Sequence, residues 1–381
     1  MRNTFRNIMA FLMAGVMLLL LTAALPVYGI RAQAAENLDK KACWISFLDM
    51  ETYLKDKKEA EFRTKVSQMY DKVKEYGMNT VLVHARAMGD AMYPSAYFPW
   101  SIYISEDRSN PGYDPLQIMV ELAHSKGLQF EAWVNPYRLS RDNKTTVSFK
   151  ATPQYAQFRD FSIEYRAASG ETCLALDPAR QEARDLIVNG VREIVENYNV
   201  DGIHFDDYFY VSGMADTLDT ASRKAHVNAL MLQVYQTIKE VKPNCVFGVS
   251  PAGNPDNVRG QGADIDTWLS TSGYIDYIMP QIYWSDIYMT GSGAKHMFTD
   301  RCKEWMLLNQ QNIPIYVGIA LYKVGTPSKT DLGWATSNMN VAYQAIQAKQ
   351  LGCQGYALFR YAWLENPVAA EELANLKMFA F

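Results

Sequence analysis

Three carboxylates fall within the run DGIHFDDYFY, residues 201–210. Ile203 and Phe205 alternate with His204 and Asp206, the two-residue period of a strand with one apolar and one polar face. A carboxyl group at the end of such a strand can give a proton to a leaving group, take one from water or attack as a nucleophile. Asp206 holds that position. Asp207, one residue further, reads either as a second catalytic group or as a turn cap. Asp201, before Gly202 at the opposite end, reads as a turn residue.

The same alternation turns other polar side chains inward. It sends His84 and Arg86 inward from TVLVHAR, and Glu131, Trp133 and Asn135 from QFEAWVN. Ser250, Gln281 and Tyr283 follow from later runs. Glu131 and His204 lie deeper and read as satisfied core residues. The rest offer hydrogen bonds to hydroxyl groups and flat faces for sugar rings. Other chemistries fit less well. No G-x-S-x-G nucleophile elbow is present. The five histidines form no H-x-H or H-x-x-x-H pair; His84, His204 and Asp206 remain the one arrangement that could hold a metal. The expectation is catalysis with no metal and no cofactor.

Eight apolar runs can carry these residues as strands: 43–47, 80–85, 129–134, 202–206, 246–250, 277–284, 315–320 and 356–361. Helical patterns fit between them at 60–76, 114–126, 180–198, 220–241, 295–310 and 338–350, with a weak one at 265–271. Strict alternation of this kind, with no glycine-rich phosphate fingerprint after the first strand, predicts a (β/α)8 TIM barrel rather than an open doubly wound sheet. The segments 86–113 and 135–178, after strands two and three, are long. They leave the barrel face that carries active sites and contain Tyr93, Tyr97, Trp100, Tyr113, Tyr137 and Tyr155. They read as functional loops or, alternatively, as plain caps on the barrel.

The composition, 49% hydrophobic and 20% charged, suits a folded globular chain. Arg2 and Arg6 precede an apolar run from Ile8 to Ile30, and the triplet Ala32-Gln33-Ala34 follows. Residues 1–34 therefore read as a secretory signal and 35–381 as one barrel domain, in a secreted or cell-surface protein. An uncleaved membrane anchor is the competing reading. Cleavage would remove Arg2, Arg6 and Arg31 and no acid, taking the formal charge from −4 to −7. So acidic a chain argues against nucleic acid as partner, and a monomer is expected. Cys43, Cys173, Cys245, Cys302 and Cys353 are scattered through apolar surroundings and read mostly as buried thiols.

Four segments, DGIHFDDYFY, AWVNPYR, GVSPAGNPDN and MPQIYW, occur in this order at strand ends. Together they resemble the bacterial glycosyl-hydrolase-like family ten, a likeness extending over roughly residues 40–365. The segments YPSAYFPWS and GYALFRY are similar to that family too. The resemblance implies a TIM barrel outside the cytoplasm that hydrolyses glycosidic bonds, with bacterial cell-wall glycan strands (peptidoglycan) as the substrate class. It puts the acidic centre on Asp206 and Asp207 and the polar strand tips on Asn135, Gln281 and Tyr283. The segments that carry it add Tyr93, Tyr137, Arg138, Tyr208, Asn254 and Trp284 to the expected substrate-binding residues. DGIHFDDY also resembles the chitinase-type run DGIDIDWE in spacing. Tyr208 stands where that run has its catalytic glutamate, which argues against a substrate-assisted mechanism.

The leading expectation is therefore hydrolysis by two carboxyl groups. Asp206 is one; Asp207, Asp286 and, less favoured, Glu131 and Glu365 are candidates for the other. Trp133, Tyr283 and Trp284 are expected to form a sugar platform. The rival is a non-catalytic glycan-binding barrel that keeps the aromatic cleft without a competent acid pair.

Overall fold

The computed structural model describes residues 39–214 and 218–379. The expected export signal, residues 1–34, lies outside them. Among the described residues no helix is long and apolar enough to cross a membrane.

Eight parallel strands form one curled sheet: β1 (Lys40–Ile45), β2 (Thr80–Arg86), β3 (Gln129–Val134), β4 (Gly202–Asp206), β5 (Val246–Ser250), β6 (Tyr277–Ile278), β7 (Val317–Ile319) and β8 (Gly355–Leu358). The sheet order is β7-β8-β1-β2-β3-β4-β5-β6. It closes between its two ends, because Ile278 bridges Ile315 and Gln281 bridges Gly318. Tyr316 N–H donates to Ile278 O at 3.0 Å and Gly318 N–H to Pro280 O at 2.8 Å across that seam. The eight-residue strand expected at 277–284 is thus two paired residues followed by one bridge. Pro280 has no N–H to give to a ladder.

A helix follows each strand: α1 (Glu59–Glu75), α2 (Pro115–Ser125), α3 (Gln181–Asn197), α4 (Thr220–Val241), α5 (Ile265–Ser270), α6 (Met297–Leu308), α7 (Asn340–Gln350) and α8 (Ala370–Phe379). The fold is the (β/α)8 barrel that the alternation implied. The starts of these helices follow local chemistry. Asp114 caps α2 by accepting from Gln117 N–H, with Pro115 at the first helical position, and Asp219 caps α4 through Ser222 N–H. The final helix, α8, had no counterpart in the sequence reading.

The apolar faces of strands and helices meet in one large outer core. A smaller core fills the barrel itself and includes Trp44, Leu82, Trp133, Tyr277, Met279 and Tyr316. The segment after β3 is more ordered than expected. It folds into the helices Asn143–Lys150 and Tyr155–Phe158 and the hairpin Ser162–Arg166 with Thr172–Leu176. The five cysteines are buried free thiols.

Candidate active site

The barrel interior has a polar floor in which every partner is accounted for. Lys40 Nζ pairs with one oxygen of Glu131, and Tyr277 OH donates to the other. Trp44 Nε1, which can only donate, points at His204 Nε2 at 3.3 Å. That leaves the His204 proton on Nδ1, 2.7 Å from the Tyr277 oxygen. Burial and the Lys40 charge push the His204 pKa well below the usual histidine range, so the ring is neutral. Two glycines make room for this layer. A Cβ on Gly248 would lie 1.9 Å from the Tyr277 ring, and one on Gly202 2.9 Å from Glu131 Cγ. Glu131 is therefore a floor residue and not part of an acid pair.

Above the floor opens a cavity of about 510 Å³, mouth included, lined by Trp44, Ser46, Phe47, Leu48, His84, Trp133, Asn135, Arg138, Asp206, Tyr208, Ser250, Gln281, Tyr283 and Phe359. Of the expected site residues, the structure brings His84, Trp133, Asn135, Arg138, Asp206, Tyr208, Gln281 and Tyr283 together here. β4 delivers Asp206 from its last position, Tyr208 lies just past that strand, and β2 and β3 deliver His84 and Trp133.

Asp206 is buried, with Tyr208 N–H donating to its Oδ1 at 3.2 Å. Desolvation first, and then the neighbouring Asp207 charge, push its pKa well above the carboxylate range, against the pull of Arg138. Asp207 is half-buried at the rim, accepts a hydrogen bond from Ala252 N–H and is pushed up by desolvation to about 6. The two carboxyl groups titrate as a pair, and Asp206 is the one that faces the cavity. The Arg138 guanidinium lies 4.3 Å from the ring centroid of Tyr208 and forms the positive wall.

His84 serves its neighbours. Phe47 N–H donates to Nδ1 at 3.1 Å, so the proton sits on Nε2 and reaches Asn135 Oδ1 at 3.2 Å, while Asn135 Nδ2 donates to Ala87 O. The ring also stacks on Trp133, with centroids 3.3 Å apart. With the ring nitrogens of both His84 and His204 engaged, neither ring offers a free lone pair to a metal. Among the described residues no group of three or more His, Cys, Asp or Glu side chains gathers to hold one.

Three buried polar atoms in the cavity lining have no protein partner: Trp133 Nε1, Arg138 Nε and Ser250 Oγ. Buried donors without partners are rare because each one costs stability. Here they border a cavity that can admit a hydrogen-bonding group.

Several other expected residues do not line the cavity. Arg86 leaves the alternation because the β2–β3 register shifts between His84 and Arg86. Its guanidinium turns outward, 3.9 Å from the Phe98 ring centroid, and donates to Pro136 O. Gly190 of α3 leaves space for it, since a Cβ there would meet Arg86 Nη1 at 2.8 Å. Tyr93 is fully buried edge-on against Tyr198, and Tyr137 is buried among other side chains. Asn254 caps the helix Pro255–Gly260, accepting from Asp256 N–H at 3.1 Å. Trp284 packs over Gly253. Asp286 accepts from Thr299 N–H at 2.9 Å and from Thr299 Oγ1, holding the first turn of α6. Glu365 is likewise remote from the cavity lining, accepting from Tyr361 OH at 2.6 Å.

The sequence reading missed Trp44, Ser46 and Phe359. The alternation applied elsewhere would have found them, since Ser46, just past β1, continues the face of Trp44 and Phe359 continues the face of Ala357 in β8. Phe47 and Leu48 begin the short helix Phe47–Tyr53, where strand alternation no longer applies. Ser46 forms a capping box with Asp49, and Arg360 pairs with the same carboxylate. Asp49 thereby ties the segment after β1 to the one after β8.

A closed eight-stranded barrel with a carboxyl-bearing cavity at the C-terminal ends of its strands has the layout of a barrel enzyme's active site. Residues 40–221 and 211–336 match the glycosyl hydrolase-like 10 family, and the chain belongs to it. It is 32% identical over 357 residues to glycosyl hydrolase DigH of Escherichia coli K12, covering 81% of this chain and 77% of that one. It is 34% identical over 331 residues to glycosyl hydrolase YngK of Bacillus subtilis 168, covering 77% and 62%. The glycoside hydrolase domain of PgaB (BpsB) from Bordetella bronchiseptica superposes with a TM-score of 0.63 at 13% identity, covering 89% of this chain and 99% of that domain. The β-amylase catalytic domain of Paenibacillus polymyxa superposes at 0.58 and 9%, covering 90% and 98%. At such identities these two structures speak for the fold alone. The family match and the named relatives make the chain a glycosidase.

Proposed function

We propose that this glycosidase cleaves the O-glycosidic bonds of a polysaccharide, the glycan strands of bacterial peptidoglycan being the substrate class, with Asp206 as general acid. The observation that carries this reading is the setting of Asp206: buried and facing the cavity, where desolvation and the adjacent Asp207 favour its protonated form. A carboxylic acid that keeps its proton at neutral pH can deliver it to a leaving glycosidic oxygen. As the bond from the anomeric carbon to that oxygen breaks, the Asp206 proton ends on the departing hydroxyl. Water adds to the anomeric carbon and its released proton restores the pair. Asp207 is the second carboxyl group of the reading, because Asp286, Glu131 and Glu365 are each committed elsewhere.

Trp133 Nε1 and Ser250 Oγ supply hydrogen bonds to the bound sugar, while Trp44, Tyr283 and Phe359 supply apolar faces. Export is part of the proposal. It rests on Arg2, Arg6, the apolar run 8–30 and the Ala32-Gln33-Ala34 triplet.

The test is mass spectrometry of products after incubation with a panel of glycans, including peptidoglycan strands with and without their peptides. New reducing ends from peptidoglycan strands, absent with Asp206→Asn, are expected. Cleavage confined to another polysaccharide overturns the substrate class, and undiminished cleavage by a folded Asp206→Asn overturns the acid.

A further inference from the structure

Beside the cavity, and sharing none of its lining residues, a groove of about 1,580 Å³, open mouth included, runs between the long segments after β2 and β3. Of the six Trp and Tyr residues that made those segments look functional, Trp100 is the one that lines it. It is held firmly. Arg108 Nη1 donates to Trp100 O at 2.9 Å and to Asp90 Oδ2 at 3.0 Å, and Asp90 is itself buried. Arg108 has a φ of 60°, a left-handed backbone uncommon outside glycine. Pro153 and Gln154, from the segment after β3, line it too. Arg108 Nε and Gln154 Oε1 have no protein partner.

We infer that this groove is a second glycan-binding site, which takes a stretch of the same polymer several units from the bond cleaved in the cavity. A fixed aromatic face among planar polar side chains, here Arg108, Asn110 and Gln154, suits the alternating flat and hydroxylated surfaces of sugars. Both segments leave the C-terminal ends of their strands, the end at which Asp206 sits. One packing contact ties the groove's first segment to the cavity. Phe47, in the cavity lining, packs on Tyr103, three residues beyond Trp100, at a centroid distance of 4.7 Å. Arg138 lines the cavity, and the same segment continues to Ser148 and Gln154 in the groove.

The inference rests on the proposed glycan substrate, and its test separates the two. Affinities of full-length Asp206→Asn for purified peptidoglycan glycan strands and for a disaccharide fragment of them are compared with those of Asp206→Asn/Trp100→Ala and Asp206→Asn/Gln154→Ala. Each added substitution is expected to weaken long-strand binding by roughly tenfold or less, the scale of one aromatic or polar contact, and to leave disaccharide binding and melting temperature unchanged. Long-strand binding equal to that of the parent overturns the groove, and so does an equal loss on both lengths. If the Trp100 variant does not fold, the Gln154 variant decides alone. A parent that binds neither length overturns the peptidoglycan reading beneath both.

Discussion

Two layers of the same barrel interior differ in how they treat polar atoms. In the floor, Lys40, Glu131, Tyr277, His204 and Trp44 form a chain in which each donor meets an acceptor. A few residues higher, the mouth places two adjacent carboxyl groups together, neutralises them incompletely with Arg138, and leaves Trp133 Nε1 and Ser250 Oγ without partners. A matched network stabilises the barrel, and an unmatched one stores binding and proton-transfer capacity at some cost in stability. Burial alone does not separate them, since Glu131 and Asp206 are both nearly inaccessible.

The largest expected effect falls on the mouth. Asp206→Asn keeps size and removes the exchangeable proton, so turnover should drop by about 10²- to 10⁴-fold, the usual contribution of a positioned acid-base group. Stability should move the other way. A carboxyl whose folded pKa is raised binds its proton more tightly when folded, so its contribution is fully present below the unfolded value and declines as pH rises towards the folded one. The gain in melting temperature on Asp206→Asn should therefore be greater at pH 8 than at pH 4; a variant that melts lower than the parent at pH 8 would contradict the assigned desolvation. Asp207, raised to about 6, should give the same sign, with its change centred between pH 4 and 6.

The floor should respond in stability. Glu131→Ala leaves the Lys40 charge buried without its partner and should cost about 3–5 kcal/mol in denaturant unfolding. A loss under about 1 kcal/mol would mean that the chain is less coupled than its geometry indicates. Trp133→Phe sharpens the boundary between layers by deleting the unmatched N–H while keeping the ring on His84. It should reduce kcat/KM by roughly tenfold, the scale of one buried hydrogen bond, with little change in melting temperature. A fall in stability without loss of activity would move Trp133 to the floor. The smallest effect belongs to Asp286→Ala, which should cost about 1 kcal/mol as a lost helix cap and leave kcat unchanged. A large fall in kcat would return Asp286 to the list of catalytic groups.

Period and punctuation in the sequence determined the alternation of strands and helices, the barrel, and the inward face of β4 that bears Asp206, because these depend on residues two to four apart along the chain. The same arithmetic failed wherever geometry depended on a distant partner. A register shift against β3 turned Arg86 out of the barrel. Pro280 cut β6 short, and closure there came from the segment around β7. Asp286 was committed by Thr299 and Tyr93 by Tyr198, neighbours that their own motifs do not reveal. Which buried polar groups are matched and which lack a protein partner was likewise decided only by tertiary structure. A hydrogen bond such as that between Trp44 and His204 joins residues 160 apart in the chain, and no local pattern encodes whether the partner arrives.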